Sequence, residues 1–315
     1  MNALSYRNSY SSFESTDTQN TTEPSRTKFE RIVGAIPEDQ RHILYIDRSE
    51  WEAKYPFPKV NPYLFDNEPG YHDAMEKVLN FIGDNLGEKL DALKLRDLHD
   101  MCVDGVFSDC GKTEPFAKGY CPRWKYGFDI GDVPQGTLDE LENEYILIVS
   151  NAKALPCQQI LLESMRRNMD YLCTYYNDKD QDHPGEAIYS NFLDQLDEPK
   201  VHKIINAYFD RYYAVISSAR SEDEILAAIA RICRAINMFH VFPDGNGRTV
   251  LWALLPKLLM ENDFCPAMLD NPNRFAAGYY SVKEMVEHLK KGMDNFQLAR
   301  SQFSSMTNRI SLIGS

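Results

Sequence analysis

The stretch SEDEILAAIARICRAINMFHVFPDGNGRTVLWALLPKLLM, Ser221–Met260, determines the fold that the sequence predicts. Ser221 is a suitable N-cap, and Glu224 three residues later completes a capping box. The apolar residues that follow recur at steps of three and four: Ile225, Ile229, Ile232, Ile236 and Phe239. This spacing predicts one helix with a single buried face. A second apolar helix is expected from about Thr249 to Met260, and Pro256 should kink it or disturb its hydrogen bonding.

The polar turn between these two helices reads HVFPDGNGR, His240–Arg248, and it suits a ligand that carries phosphate. Gly245 and Gly247 let the backbone approach a phosphate and adopt positive φ without steric cost. The first N–H groups of the following helix are unpaired and face the positive end of its dipole, which favours anions. Arg248 adds a guanidinium that can bind phosphate oxygens through two parallel bonds.

Three further residues of the turn have chemical uses. Asp244 is a hard oxygen ligand suited to a Mg²⁺ ion that bridges two phosphates. His240, whose ordinary pKa is near neutrality, can accept a proton from an incoming hydroxyl. Phe242 is the apolar member and is expected to turn inward and anchor the loop. From average residue usage this pattern arises by chance about once in 10⁹ windows, so an ordinary turn is a poor explanation.

These residues resemble the signature of the Fic (filamentation induced by cAMP) family, H-x-F-x-(D/E)-G-N-G-R-x-x-R. The resemblance is specific over Ser221–Met260 and weaker over Leu90–Gly292. It implies an all-α fold, a Fic-like helical core with a small β-hairpin flap. It also implies transfer of AMP from Mg²⁺-bound ATP onto a Tyr, Thr or Ser hydroxyl of a target protein. Carried over by position, the resemblance makes His240 the general base, Asp244 the metal ligand, and Gly245, Asn246, Gly247 and Arg248 the phosphate holders.

The chain departs from that signature at the second arginine, which is replaced by Leu251. In the family this arginine contacts the outer phosphate of ATP. Arg123, Lys257 and Arg274 are candidate substitutes. Without a substitute, the group transferred could be phosphocholine from CDP-choline, UMP or phosphate. A further alternative is a module that binds a nucleotide without turnover.

The segment Gly119–Pro134 is rich in aromatic residues and glycine. Its apolar residues alternate, at Tyr126, Phe128 and Ile130, which predicts a short hairpin on the helical body. The segment resembles the flap of the Fic family, which implies that these residues dock the target in extended form above the nucleotide.

The resemblance also concerns regulation. Many family members are restrained by a helix that carries (S/T)-x-x-x-E-(G/N). In this chain Glu precedes Gly or Asn only at Glu142 and Glu261, and Leu138 and Lys257 stand four residues earlier. We therefore expect an enzyme that is not restrained by this pattern.

Composition narrows the class of protein. The 315 residues include 43% hydrophobic and 26% charged residues, as in ordinary globular proteins. A net charge of −13 repels nucleic acid and anionic lipid, so neither is expected as a main partner. Seven scattered cysteines with no C-x-x-C pair indicate a reducing compartment without disulfides. The apolar runs are too short for a transmembrane segment, and we expect a soluble protein.

Four regions are expected along the chain: a flexible polar tail (1–28), a helical extension (29–90), the Fic-like catalytic domain (91–300) and a polar C-terminal tail (301–315). By analogy with family members that are bacterial effectors, the polar N-terminus and the missing inhibitory pattern fit delivery into a host cell cytoplasm. The expected partners are a nucleotide donor and a target protein.

Overall fold

The computed structural model describes residues 24–46, 68–107, 114–120, 127–129, 137, 140, 187–189 and 197–313. Its elements, in chain order, are α1 (Ser25–Val33), a 3-10 helix (Glu38–Leu44), α2 (Tyr71–Asp84), α3 (Ala92–Cys102), β1 (Gly127–Asp129), β2 (Ala187–Tyr189), α4 (Glu198–Ser218), α5 (Glu222–Phe239), α6 (Asn246–Arg248), a π-helical turn (Thr249–Leu254), α7 (Leu255–Glu261), α8 (Pro272–Ala276) and α9 (Val282–Ile313). The predicted all-α core is confirmed.

Helix α5 lies at the centre of the described structure, between α4 and α9. It begins where the sequence predicts, because the Ser221 hydroxyl accepts a hydrogen bond from the Glu224 amide at 3.3 Å. The Glu224 carboxylate in turn accepts from the amide of Arg220 at 2.6 Å. These bonds satisfy N–H groups that have no partner inside the helix. Ile229 and Ile236 of the predicted apolar face are buried in the core.

The segment after Arg248 continues as one helical run through α6, the π turn and α7. Pro256 has no N–H to donate, and its ring would clash with the carbonyl four residues earlier, which belongs to Trp252. The run relieves this conflict with a π turn that ends just before Leu255. The disturbance expected at Pro256 is thus present as a widened turn.

Strand β1 lies inside the segment predicted to form a hairpin, but its described partner is distant in the sequence. Gly127–Asp129 pairs antiparallel with Ala187–Tyr189, and Phe128 stands opposite Ile188. A strand accepts any partner that offers a matching ladder, so the pairing need not be local. The other proposed docking residues, Tyr126 and Ile130, lie outside the described residues.

The first and last helices extend into the regions expected to be polar tails. Helix α1 starts at Ser25, inside the region expected to be a tail, because Phe29 is buried in the core. Helix α9 continues to Ile313, past the boundary expected at residue 301, and Phe303 is 5% exposed. Apolar side chains that reach the core thus extend the helices at both ends. Residues 1–23 lie outside the described part.

The N-terminal helices share their core with the helices of the expected catalytic domain. Lys28 donates a hydrogen bond to the carbonyl of Glu261 at 2.9 Å and pairs with Asp263 at 3.0 Å. The guanidinium of Arg300 donates to the carbonyl of Arg31 at 3.0 Å. The described N-terminal helices are therefore packed directly on the helices that carry the turn.

Candidate functional site

His240 ends α5 in a left-handed backbone conformation, with φ 48° and ψ 54°. Few residues other than glycine adopt this conformation, although histidine does so more often than most. Its amide still donates to the carbonyl of Ile236 at 3.2 Å, which closes the helix. The chain leaves the helix sharply at this point, and the imidazole is placed on the wall of a cavity.

This cavity has a volume of about 210 Å³ and is lined mainly by the turn. The residues of the turn that line it are His240, Asp244, Gly245, Asn246, Gly247 and Arg248. Tyr71, Trp252 and Asn273 complete its wall from other parts of the chain. The candidate base and the candidate anion-binding residues therefore face the same space.

The turn is held in shape by its own polar groups. Asn246 is buried, and its side chain both accepts from the Phe242 amide at 3.1 Å and donates to the Phe242 carbonyl at 2.9 Å. Its side chain thus braces the loop, and a contact of Asn246 with phosphate would use the backbone N–H. The Thr249 amide and hydroxyl both bind the carbonyl of Gly245, at 2.8 and 2.9 Å.

The two glycines of the turn have different roles. Gly245 has φ 66°, and a Cβ there would lie 2.7 Å from the Val103 side chain. A larger residue at position 245 would therefore be strained twice, by its φ and by a clash. Gly247 lies inside helix α6 and lacks the positive φ that the sequence suggested for it. Its missing side chain instead leaves the start of the helix open to the cavity.

Phe242 lies in the core at 1% exposure, between two aromatic rings. Its ring stacks on His99 with centroids 3.9 Å apart and planes at 4°, and on Tyr120 at 5.1 Å. The loop is thereby attached to α3 and to the chain just before β1.

His99 is a site residue that sequence reasoning did not single out. Its side chain is fully buried, its Nε2 lies 3.0 Å from the Asp244 carbonyl oxygen, and its Nδ1 lies 3.0 Å from the Asp100 carboxylate. The same Asp100 oxygen accepts from the amide of Gly119 at 2.7 Å. Burial lowers the pKa of His99, while its hydrogen bonds to Asp100 and Asp244 oppose that shift. His99 therefore links the turn to the segment that precedes β1.

Asp244 is exposed at the cavity, and its Oδ1 accepts from the Gly245 amide at 2.7 Å. In the described part of the chain no group of three or more His, Cys, Asp or Glu side chains could hold a metal ion by itself. Mg²⁺ commonly binds one or two carboxylates together with substrate phosphates and water. A single exposed carboxylate beside an anion-binding turn fits that chemistry.

Arg248 is already engaged by the protein. Its Nη2 forms an ion pair with Glu68, and its Nη1 donates to the Cys102 carbonyl at 3.4 Å. Its guanidinium also lies over two aromatic rings, 4.7 Å from the ring centre of Tyr71 and 5.3 Å from that of Phe116. The side chains of Arg248 and Glu68 are 9% and 15% exposed. Sequence reasoning missed Glu68, which lies 180 residues before Arg248 in the chain.

The candidates for the missing second arginine do not reach the cavity where they are described. Leu251 is 4% exposed and packs in the core. Lys257 is fully buried and donates to the Glu88 carbonyl at 2.8 Å. The guanidinium of Arg274 lies over the ring of Tyr279 at 4.7 Å. Neither Lys257 nor Arg274 lines the cavity, and Arg123 lies outside the described residues.

The imidazole of His240 is largely shielded from solvent, and this burial lowers its pKa to about 4. A hydrogen bond to the backbone of Asn237 opposes the shift only in part. The ring is therefore neutral at physiological pH, which is the protonation state that can accept a proton.

The motif at this cavity lies in a recognised domain. A model of the Fic/DOC family matches residues 162–256. A 99-residue part of the chain is also 34% identical to Phosphocholine transferase AnkX of Legionella pneumophila subsp. pneumophila (strain Philadelphia 1), over 30% of this chain and 10% of that protein. The chain thus spans about a tenth of the length of this curated relative. The Fic segment contains the whole of α5 and the turn His240–Arg248.

In the described part of the chain, no helix is both long and apolar enough to cross a membrane.

Proposed function

We propose that this protein is a Fic-type transferase that moves a phosphate-containing group from a nucleotide donor onto a Tyr, Thr or Ser hydroxyl of a target protein. The observation that carries the proposal is that His240 and the turn Gly245–Arg248 line one cavity. A base must reach the hydroxyl that attacks the donor phosphorus, and this arrangement places the candidate base and the phosphate-binding turn at one cavity.

In the proposed reaction, neutral His240 accepts the proton of the target hydroxyl while its oxygen attacks the donor phosphorus. One O–P bond forms and the anhydride bond of the donor breaks. The leaving group that takes the electron pair is CMP if CDP-choline donates phosphocholine, and pyrophosphate if ATP donates AMP. The N–H groups of Gly245–Arg248 hold the donor phosphates. Mg²⁺, held by Asp244, would neutralise charge on those phosphates. The protein contributes mostly placement and charge stabilisation, as in other phosphoryl-type transfers.

Two nucleotides, ATP and CDP-choline, are candidate donors for this site. The family signature favours ATP and transfer of AMP, but Leu251 lies in the core and neither Lys257 nor Arg274 replaces the missing arginine at the cavity. A donor with only two phosphates does not need that cation. The relative AnkX is a phosphocholine transferase. We therefore favour CDP-choline as the donor and phosphocholine as the transferred group, with AMP transfer as the alternative.

The test is transfer to proteins of a cell lysate from a panel of labelled donors, CDP-choline, ATP and UTP, followed by mass spectrometry of the labelled band. The mass added to the target identifies the transferred group. His240→Ala should abolish labelling but bind the donor almost as tightly as the wild type. Equal labelling by the variant would instead favour a protein that binds nucleotide through this cavity and does not use His240.

We also propose that the protein acts in the cytoplasm of a host cell. The relative comes from Legionella pneumophila, and most of the first 23 residues are polar. A fusion to a reporter enzyme that is active only in host cytoplasm, expressed in that bacterium, tests delivery. Reporter signal that persists in a secretion-deficient strain would contradict it.

A further inference from the structure

Trp252 is the aromatic residue of the helical run that faces the candidate site. It lines the cavity together with His240 and the phosphate-binding turn. Tyr71 lines the same cavity, but the guanidinium of Arg248 already lies 4.7 Å from the centre of its ring. Nothing in the proposed reaction mechanism uses Trp252.

The π turn accounts for the position of Trp252. In a regular α-helix, residues three and four places after Arg248 would both be its neighbours on one face. The wider turn Thr249–Leu254 takes more residues per revolution, so residue 251 rotates away from Arg248 and residue 252 takes its place. Leu251 accordingly packs in the core, and Trp252 is half-buried at the cavity.

The charges around the cavity are compatible with a bound cation, although Arg248 lines the cavity. The positive charge of Arg248 is neutralised by its ion pair with Glu68, and Asp244 adds an exposed carboxylate to the wall. A quaternary ammonium group has no N–H to donate, so proteins recognise it through the faces of aromatic rings, with tryptophan the strongest. An indole beside an anion-binding turn therefore suits a ligand that carries a phosphate at one end and a trimethylammonium group at the other.

We infer that Trp252 determines donor specificity by binding the trimethylammonium group of a choline donor. The inference rests on the proposed transfer of phosphocholine and names the residue that would select it. Trp252, the residue after Leu251, would thus contact the donor. The family signature places its second arginine at position 251.

The test compares donor binding by calorimetry in the full-length wild type and three variants, Trp252→Ala, Trp252→Phe and Tyr279→Ala. Tyr279 is the matched control, because it is a half-buried aromatic residue that stacks on Arg274 and does not line the cavity. Two ligands are used: CDP-choline, and CDP, which keeps both phosphates and lacks only the choline group. Thermal melting of each variant shows whether it is folded.

Trp252→Ala should raise the Kd of CDP-choline roughly tenfold or more, the size of a cation–π contact, and leave the Kd of CDP within about twofold. Trp252→Phe should recover most of the affinity, and Tyr279→Ala should bind both ligands as the wild type does. An equal loss of affinity for CDP and CDP-choline would overturn the inference, because Trp252 would then hold the nucleotide, its phosphates or the shape of the loop.

Failure of the proposed function would give results different from failure of the inference on Trp252. If the wild type transfers AMP and no phosphocholine, the choice of donor is wrong and the role of Trp252 falls with it, while catalysis by His240 stands. If His240→Ala still transfers phosphocholine, the catalytic proposal fails whatever Trp252 binds.

Discussion

At the scale of single residues, the burial of His240 determines how the proposed transfer reaction should respond to pH. Burial lowers the pKa of the free imidazole to about 4, so the ring is neutral above that pH and loses its role as base only below it. A bound anionic donor favours the protonated ring and raises its pKa in the complex. We expect the acid limb of kcat/KM near pH 4 and the acid limb of kcat at higher pH. Rate profiles at several donor concentrations measure both.

The same pKa shift predicts a change in stability. Between about pH 6.5 and pH 4 the unfolded chain takes up a proton at His240 that the folded protein does not. The wild type should therefore lose stability relative to His240→Ala as the pH falls through this range, and the two should change in parallel above it. Urea unfolding at a series of pH values tests this. Parallel curves at all pH values would mean that the imidazole is not buried in solution.

His99 is predicted to be a positioning residue for the turn. Its Nε2 holds the carbonyl of Asp244 at 3.0 Å, and its ring supports Phe242. His99→Ala should lower kcat/KM for the donor at least tenfold and destabilise the fold by about 2–4 kcal/mol. His99→Gln, which can still donate to the carbonyl, should recover more activity than stability.

His202→Ala is the control for His99, because His202 also contacts Tyr120 but pairs with Glu198 on α4, away from the turn. It should change kcat/KM less than about threefold. If both alanine variants lost activity only in proportion to their loss of folded protein, His99 would have no positioning role beyond packing.

At the scale of elements, the π turn in the helical run after Arg248 interrupts regular α-helical hydrogen bonding and also places Trp252 at the cavity. Pro256 accounts for the π turn, and the π turn places Trp252 at the cavity and Leu251 in the core. Pro256→Ala restores a donor N–H and permits a regular helix. We expect the melting temperature to be unchanged or higher and phosphocholine transfer to fall several-fold. Calorimetry and transfer assays on the same sample measure the two effects, and lower stability with full activity would contradict this account.

At the scale of the whole molecule, the segment just before α2 contacts the motif through Glu68. Its carboxylate pairs with Arg248, and both side chains are largely buried. Removing one member of a buried ion pair typically costs about 3–5 kcal/mol. Glu68→Gln should therefore lower the melting temperature, yet release the guanidinium for phosphate and decrease the Kd of the donor. Calorimetry with CDP-choline and with ATP measures the change in affinity.

Glu198→Gln is the matched control, since Glu198 pairs with Arg96 on the surface at 3.2 Å and is 52% exposed. It should change stability by less than about 1 kcal/mol and leave donor binding unaltered. Weaker donor binding in Glu68→Gln would show that Glu68 orients Arg248 for the donor and does not compete with it. The inhibitory pattern (S/T)-x-x-x-E-(G/N) does not occur in this sequence, so the ion pair of Glu68 with Arg248 would act on the motif independently of it.

The sequence by itself determined the helical core, the start of α5 at its Ser221 cap, the turn His240–Arg248 and the resemblance to the Fic family. All of these depend on residues within a few positions of one another, where capping, helical periodicity and loop chemistry act. The tertiary structure alone decided that β1 pairs with a distant strand, that His99 holds Asp244 across 145 residues and that Glu68 pairs with Arg248 across 180. It also decided that Trp252, and not residue 251, faces the cavity. These contacts arise from packing between elements far apart in the chain, and local sequence patterns carry no information about which distant surfaces meet.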